Sequence, residues 1–357
     1  MAVARGMWGS EEFVHQLLRK AVGAEASDVH LKVGQPPGVR VGGDMVYFKT
    51  EKLQTSDTEA VVRLLLSHGR GSAPGARQTL DDLTECDTSY EVEGVGRFRV
   101  NIYRQRGTFA VVMRVIPVEV PSLAELGLPT PVLDLAERER GMALVVGATG
   151  NGKTTTLAAM VHHINLTRSR HIVTIEDPIE FIHRDQRSSV SQREVGLDTP
   201  DFATALRSAL RQDPDVLLVG EIRDTETMEI AVQAAETGHL VLSTLHTPDV
   251  TRCINRLIAL ADNPGELRER IADCLQGVIA QRLVPRADHG LALAMEIMVV
   301  TGTVREALKR PDANPPLKEL MERGVTPYGM QTFAMALRRL VQEGLVTKEV
   351  AQSYLGF

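Results

Sequence analysis

Cysteine is scarce: Cys86, Cys253 and Cys274 are the only three in 357 residues, far apart and without a CxxC pair. That spacing leaves no structural zinc site and favours a reducing compartment. Long apolar runs are missing as well. None approaches the roughly 20 residues needed to cross a bilayer, and the opening "MAVARGMWGSEEF" lacks the apolar core of a secretory signal. A basic excess is absent too. Forty Lys and Arg stand against 46 Asp and Glu, a net charge of −6, which argues against general affinity for nucleic acid. Aromatics make up only 4% of the chain, yet 43% is hydrophobic and 24% charged, an ordinary composition for a globular protein. At this length, two domains are the starting expectation.

The patterning changes along the chain. Residues 10 to 24 place Phe13, Leu17, Leu18 and Ala21 on one face of a helix, with Ser10 as its cap. "SDVHLKVGQPPGVRVGGDMVYF" and "TSYEVEGVGRFRVNIYRQRGTFAVVMRVIP" alternate apolar and polar residues between turns, as antiparallel strands do. Residues 1–116 therefore read as a small α+β domain. The proline-rich segment 117–131 reads as a linker. Beyond it, "MALVVGATG", "RHIVTIED", "DVLLVGEI" and "HLVLSTLH" are β-branched runs separated by helical segments, the pattern of a parallel sheet with crossover helices. Residues 132–357 form the second expected domain, with a mostly helical tail from about 265 and a proline-rich break at 309–316.

The phosphate signal is local and complete. "GATGNGKT", Gly147 to Thr154, matches G-x-x-x-x-G-K-[ST] between an apolar strand and a helix. Gly147, Gly150 and Gly152 allow backbone N–H groups, including those of Ala148, Thr149 and Asn151, to converge on phosphate oxygens at a helix N-terminus. Lys153 supplies a cation for the β/γ-phosphates, and the Thr154 hydroxyl a magnesium ligand. Asn151 stands where serine is commoner. The strand Val216–Val219 runs into "GEIRD", placing Glu221 at its carboxyl end as a Walker B acid. "VTIEDPIEF" adds Glu176, Asp177 and Glu180 at another strand end. Any of the three could deprotonate an acceptor hydroxyl or orient a water, and spacing alone does not choose among them.

"TGHLVLSTLHT" has a histidine near each end, His239 and His246. Seven extended residues cover roughly 20 to 25 Å, so the two cannot share one phosphate. Ligands of such sheets sit at the carboxyl ends of the strands. That makes His246 the phosphate reader and leaves His239 a structural or intersubunit residue.

"TIEDPIEF", "LRSALRQDPDVLLVGEIRD" and "TGHLVLSTLHT", in this order after the P-loop, resemble the secretion ATPases that drive type IV pili and type II secretion, where they are the Asp box, Walker B and His box. "ASDVHLKVGQPPGVRVGGD" and "GRFRVNIYRQRGTFAVVMRVIP" are similar to the amino-terminal domain of the pilus retraction motors, the PilT/PilU type. The resemblance covers nearly the whole chain. It implies an α/β fold with a PAS-like N-terminal domain followed by a RecA-like P-loop domain, assembled as a cytoplasmic homohexamer with ATP between the domains. It implies ATP and Mg²⁺ bound through Lys153, Thr154 and Thr155, with Glu221 near the metal, and a catalytic role for Glu180. Arg97, Arg99 and Arg114 align with positions that reach nucleotide across domains. Implied partners are an inner-membrane pilus platform protein, which would hold the motor peripherally at that membrane, and a paralogous retraction ATPase. The absence of a four-cysteine motif favours retraction over extension. "REALKR" stands where the PilT pattern has "AIRNL", and the C-terminal segment is closer to the PilU pattern, so principal and accessory retraction motors both fit. A related secretion-system assembly ATPase or a slowly hydrolysing scaffold subunit is the alternative; a kinase would require a phosphoacceptor, and a nucleic-acid translocase a basic stripe.

Overall fold

The computed structural model describes residues 7–68, 80–116 and 119–355. Residues 1–6 of the amino-terminal segment and residues 117 and 118 of the expected linker lie outside the described residues. The chain divides into two compact units. The first contains residues up to Glu119 together with Glu180–Ile182 and Glu194–Asp198, and the second the remainder from Val120.

In the first unit, α1 (Glu11–Gly23) follows Ser10, whose extended backbone starts the helix without a side-chain cap bond. Val14, Leu17, Leu18 and Ala21 are buried, with Phe13 packed beside them. Strands β1 (Asp28–Lys32), β2 (Gly38–Val41) and β3 (Asp44–Tyr47), helix α2 (Thr55–His68), and strands β4 (Glu85–Val92), β5 (Gly96–Gln105) and β6 (Thr108–Ile116) complete it. The strands form one antiparallel six-stranded sheet in the order β3-β2-β1-β6-β5-β4. Its two-residue period is explicit in β5. Phe98, Val100 and Ile102 are fully buried in the core with Leu18 and Leu65 of the helices, while Arg97, Arg99 and Asn101 take the other face.

The second unit opens with α3 (Thr130–Ala136) and continues through β7 (Gly141–Val146), α4 (Lys153–Thr167), β8 (His171–Glu176), β9 (Ser189–Glu194), α5 (Phe202–Ala209), β10 (Val216–Val219), α6 (Thr225–Glu236) and β11 (Leu240–Leu245). Then come α7 (Val250–Ala259), α8 (Pro264–Cys274), β12 (Leu275–Pro285), β13 (Leu291–Val299), α9 (Gly302–Lys309), α10 (Leu317–Arg323), α11 (Phe333–Gln342) and α12 (Lys348–Leu355). Seven strands form a mixed sheet ordered β13-β12-β7-β11-β10-β8-β9. Neighbours from β12 to β8 are parallel, and β13 is antiparallel to β12. Every residue of β7, β10 and β11 is buried, which explains why these strands read as unbroken apolar runs. The parallel register sets the carboxyl ends of β7, β11, β10 and β8 along one edge of the sheet.

The fold class is the expected one, an N-terminal α+β unit followed by a P-loop unit with a parallel-rich sheet and a helical end. The tail is corrected in one respect. After α8 the helices are interrupted, because 275–285 and 291–299 are paired strands, and they resume at Gly302. β12 is buried without a break from Gly277 to Gln281, on both faces of the sheet, so its sequence, "LQGVIAQRLVP", has no clean two-residue period to betray it. Among the described residues no helix is long and apolar enough to cross a membrane.

Candidate functional site

The phosphate loop runs from the end of β7 into α4. Gly147, Gly150 and Gly152 have φ of 151°, 82° and 76°, values that side chains rarely tolerate. Gly147 is further constrained by space, since a Cβ there would lie 2.6 Å from the carbonyl oxygen of Gln281. Ala148, Thr149 and Gly150 are exposed, so the crest of the loop is open to a ligand. Lys153 is buried, and its Nζ donates to the Ala148 carbonyl at 3.1 Å, which folds the cation back over the loop. Asn151 does not face outward as a phosphate contact. Its Oδ1 accepts the Leu283 backbone N–H at 3.1 Å and ties the loop to β12. Thr154 and Thr155 are half-buried in the first turn of α4. The next residue, Thr156, accepts from Gln281 Nε2 at 2.8 Å.

Two strands along, Glu221 follows β10 with 12% of its side chain exposed. Its Oε1 is 2.5 Å from Nη2 of Arg223, and its Oε2 is 3.4 Å from Nε2 of His246. Arg223 Nη1 reaches to 3.9 Å from Asp177 Oδ2. The Arg223 guanidinium therefore joins Walker B to the Asp box, and the Glu221 carboxylate joins both to the His box. Arg223 escaped the sequence reading, although it lies within the quoted "GEIRD"; the signal was its position two residues beyond the Walker B acid. The Ser-Thr pair of β11 braces the same turn. Ser243 Oγ donates to the Val219 carbonyl at 2.7 Å and Thr244 Oγ1 to the Gly220 carbonyl at 3.2 Å.

The three Asp-box acids occupy different surroundings. Glu176 is buried and accepts from Thr174 Oγ1 at 2.7 Å and Gln192 Nε2 at 3.1 Å, which makes it a structural acid. Asp177 is exposed toward Arg223. Glu180 is exposed and belongs to the segment that clusters with the first unit. His239 lies at the start of β11, away from these groups. Its Nδ1 donates to the Ala234 carbonyl at 2.9 Å and satisfies the end of α6.

Within the first unit, Arg97 Nη2 is 2.6 Å from Glu194 Oε2 and 3.0 Å from Ser89 Oγ. Arg114 Nε donates to Asp28 Oδ1 at 3.0 Å. Burial opposes ionisation of Asp28, but the Ser27 hydroxyl and the Arg114 guanidinium outweigh it and hold the carboxyl below its usual range. Arg99 is exposed and stands opposite Arg114 across the β5–β6 pair.

A feature not legible in the sequence lies beside the P-loop. A cavity of about 780 Å³ is lined by Gly152 and Thr155 on one side and by Leu126, Leu293, Arg286 and Arg339 on others. Its walls mix apolar side chains with the charged Glu125, Arg286, Arg339 and Glu343.

Residues 9–353 match the family described as type II/IV secretion system protein. The chain belongs to that family. It is 40% identical to the type IV pilus retraction ATPase PilT of Pseudomonas aeruginosa over 95% of its own length and 97% of PilT. It is also 38% identical to the type IV pilus ATPase PilU of the same organism, over 95% of this chain and 87% of PilU. A crystal structure of the pilus retraction motor PilT with bound ADP superposes with a TM-score of 0.85 at 40% identity, covering 96% of each chain. The protein is thus a P-loop ATPase of the PilT type.

Proposed function

We propose that this protein hydrolyses ATP to ADP and phosphate and uses the energy to retract a type IV pilus. The observation that carries the reading is the Glu221–His246 contact at 3.4 Å, on the sheet edge that also carries the P-loop. On this reading the loop N–H groups and Lys153 hold the β- and γ-phosphates, and the adenosine occupies the neighbouring cavity. Mg²⁺, when bound, would neutralise charge on the phosphate oxygens. Among the described residues no cluster of three or more His, Cys, Asp or Glu could hold a metal, so the Thr154 hydroxyl and, through water, Glu221 would complete a shell begun by phosphate oxygens. His246 donates to the γ-phosphate while Glu221 orients it. Glu180 polarises the attacking water, and Arg97, Arg99 and Arg114 offset the charge that develops on the transferring phosphoryl group.

Residues 1–116 form the N-terminal domain and 132–357 the ATPase domain, with 117–131 as the hinge. Differential affinity for ATP and ADP would drive rigid-body rotation between them. The working form is a cytoplasmic homohexamer, held at the inner membrane by a pilus platform protein and served by a paralogous retraction ATPase. Deleting the gene and scoring piliation and twitching tests the proposal. Hyperpiliated, immotile cells are the result for a principal motor and near-normal piliation with impaired retraction for an accessory one; bald cells contradict retraction.

A further inference from the structure

The end of β12 touches two places at once. Toward the P-loop, the Gln281 carbonyl packs against Gly147, the Gln281 amide donates to Thr156, and the Leu283 N–H donates to Asn151. Arg282, between them, reaches the other way. Its Nη1 donates to the Tyr354 carbonyl in the last turn of α12 at 2.6 Å, and its Nη2 to the Pro248 carbonyl at 3.4 Å. Its Cζ lies 4.0 Å from the ring centroid of Phe333, the first residue of α11.

The same segments are tied a second time from β13. Buried Glu296 accepts the backbone N–H of Val250 at 3.0 Å and that of Phe333 at 3.5 Å. The loop after His246 and the C-terminal helices are therefore pinned to one pair of strands, and of these β12 is hydrogen-bonded to the phosphate loop and the start of α4.

We propose that Arg282 is a positioning residue that couples the P-loop to the His246 loop and to α12. The guanidinium suits the task because it is a rigid planar fork with five donors, able to hold two carbonyls and an aromatic face together. The last carbonyls of α12 lack helical partners and carry the negative end of its dipole, so they favour a cation there. A displacement of the phosphate loop moves Gln281 and Leu283 with it, and Arg282 transfers that displacement to Pro248, two residues beyond His246, and to Tyr354. The proposal rests on the nucleotide reading of the P-loop.

Amide hydrogen exchange on the full-length protein with and without Mg-ADP tests it. In the wild type, ADP slows exchange at 147–155 and also at 248–252 and 348–355. In Arg282→Lys, which keeps the charge and the apolar stem but not the fork, protection at 147–155 remains and the ADP-dependent slowing at 348–355 falls at least about five-fold. Arg282→Gln gives the same split and guards against an effect peculiar to lysine. The proposal is overturned if wild-type 348–355 ignores ADP, or if both variants keep the full response. ADP leaving 147–155 unprotected would be a different failure, that of the nucleotide reading itself.

Discussion

His246 Nε2 and Glu221 Oε2 stand 3.4 Å apart at the carboxyl ends of adjacent parallel strands. Arg223 takes the other oxygen of the same carboxylate. Both partners orient Glu221, so removing either leaves the acid less well aimed. Glu221→Gln should bind ATP normally and lower kcat by roughly 100-fold, and His246→Ala should lower kcat by a similar factor, the usual cost of losing one charge-stabilising group. Because the two act as a unit, the double variant should be little worse than either single one. Steady-state phosphate release across the four proteins measures this, and multiplicative losses would dissolve the pair.

Gly147 fails two tests for any side chain at once, its φ of 151° and the Gln281 oxygen 2.6 Å from a would-be Cβ. Gly147→Ala should push the loop off β12 and cost about 2 kcal/mol of stability. It should also abolish binding of a fluorescent ADP analogue. Chemical denaturation and titration of the analogue read the two effects separately.

The cavity beside Thr155 carries a prediction about affinity rather than turnover. Leu293→Trp places a large ring at its half-buried wall and should raise KM for ATP about ten-fold with kcat within two-fold, the signature of lost uniform binding. Equal loss in kcat would place the nucleoside elsewhere.

Much of this site was legible because it is local. The P-loop, the Walker B acid and His246 each sit in one short segment whose residue types declare both the strand end and the chemistry. What escaped was assembled from distance. The cavity draws its wall from residues near 126, 155, 286, 293 and 339, and no spacing rule links them. β12 escaped because a strand covered on both faces has the same apolar run as a buried helix. Three Asp-box acids looked alike in sequence, yet burial and two hydrogen-bond donors make Glu176 structural. His239, set apart from His246 by strand length alone, satisfies the end of α6.

His183 gives the second unit a pH dependence. Burial, with nearby His162 adding to it, pushes its pKa down to about 4 from 6.5. A depressed folded-state pKa contributes stability that is present above 6.5 and is lost as the pH falls toward 4, at most roughly 3 kcal/mol. Thermal melting between pH 7 and 4 should show a smaller fall in Tm for His183→Gln than for the wild type. Parallel curves would remove His183 as the cause.

Phosphate release from Mg-ATP by the purified protein, wild type against Lys153→Ala, tests the central claim most directly. On the proposed mechanism Lys153 supplies the charge that the γ-phosphate requires, and its Nζ lies over the loop at 3.1 Å from the Ala148 carbonyl. The account predicts magnesium-dependent turnover without any phosphoacceptor, reduced at least about 100-fold in Lys153→Ala while the fold is kept. Absence of turnover in the wild type, or equal turnover in the variant, would contradict it.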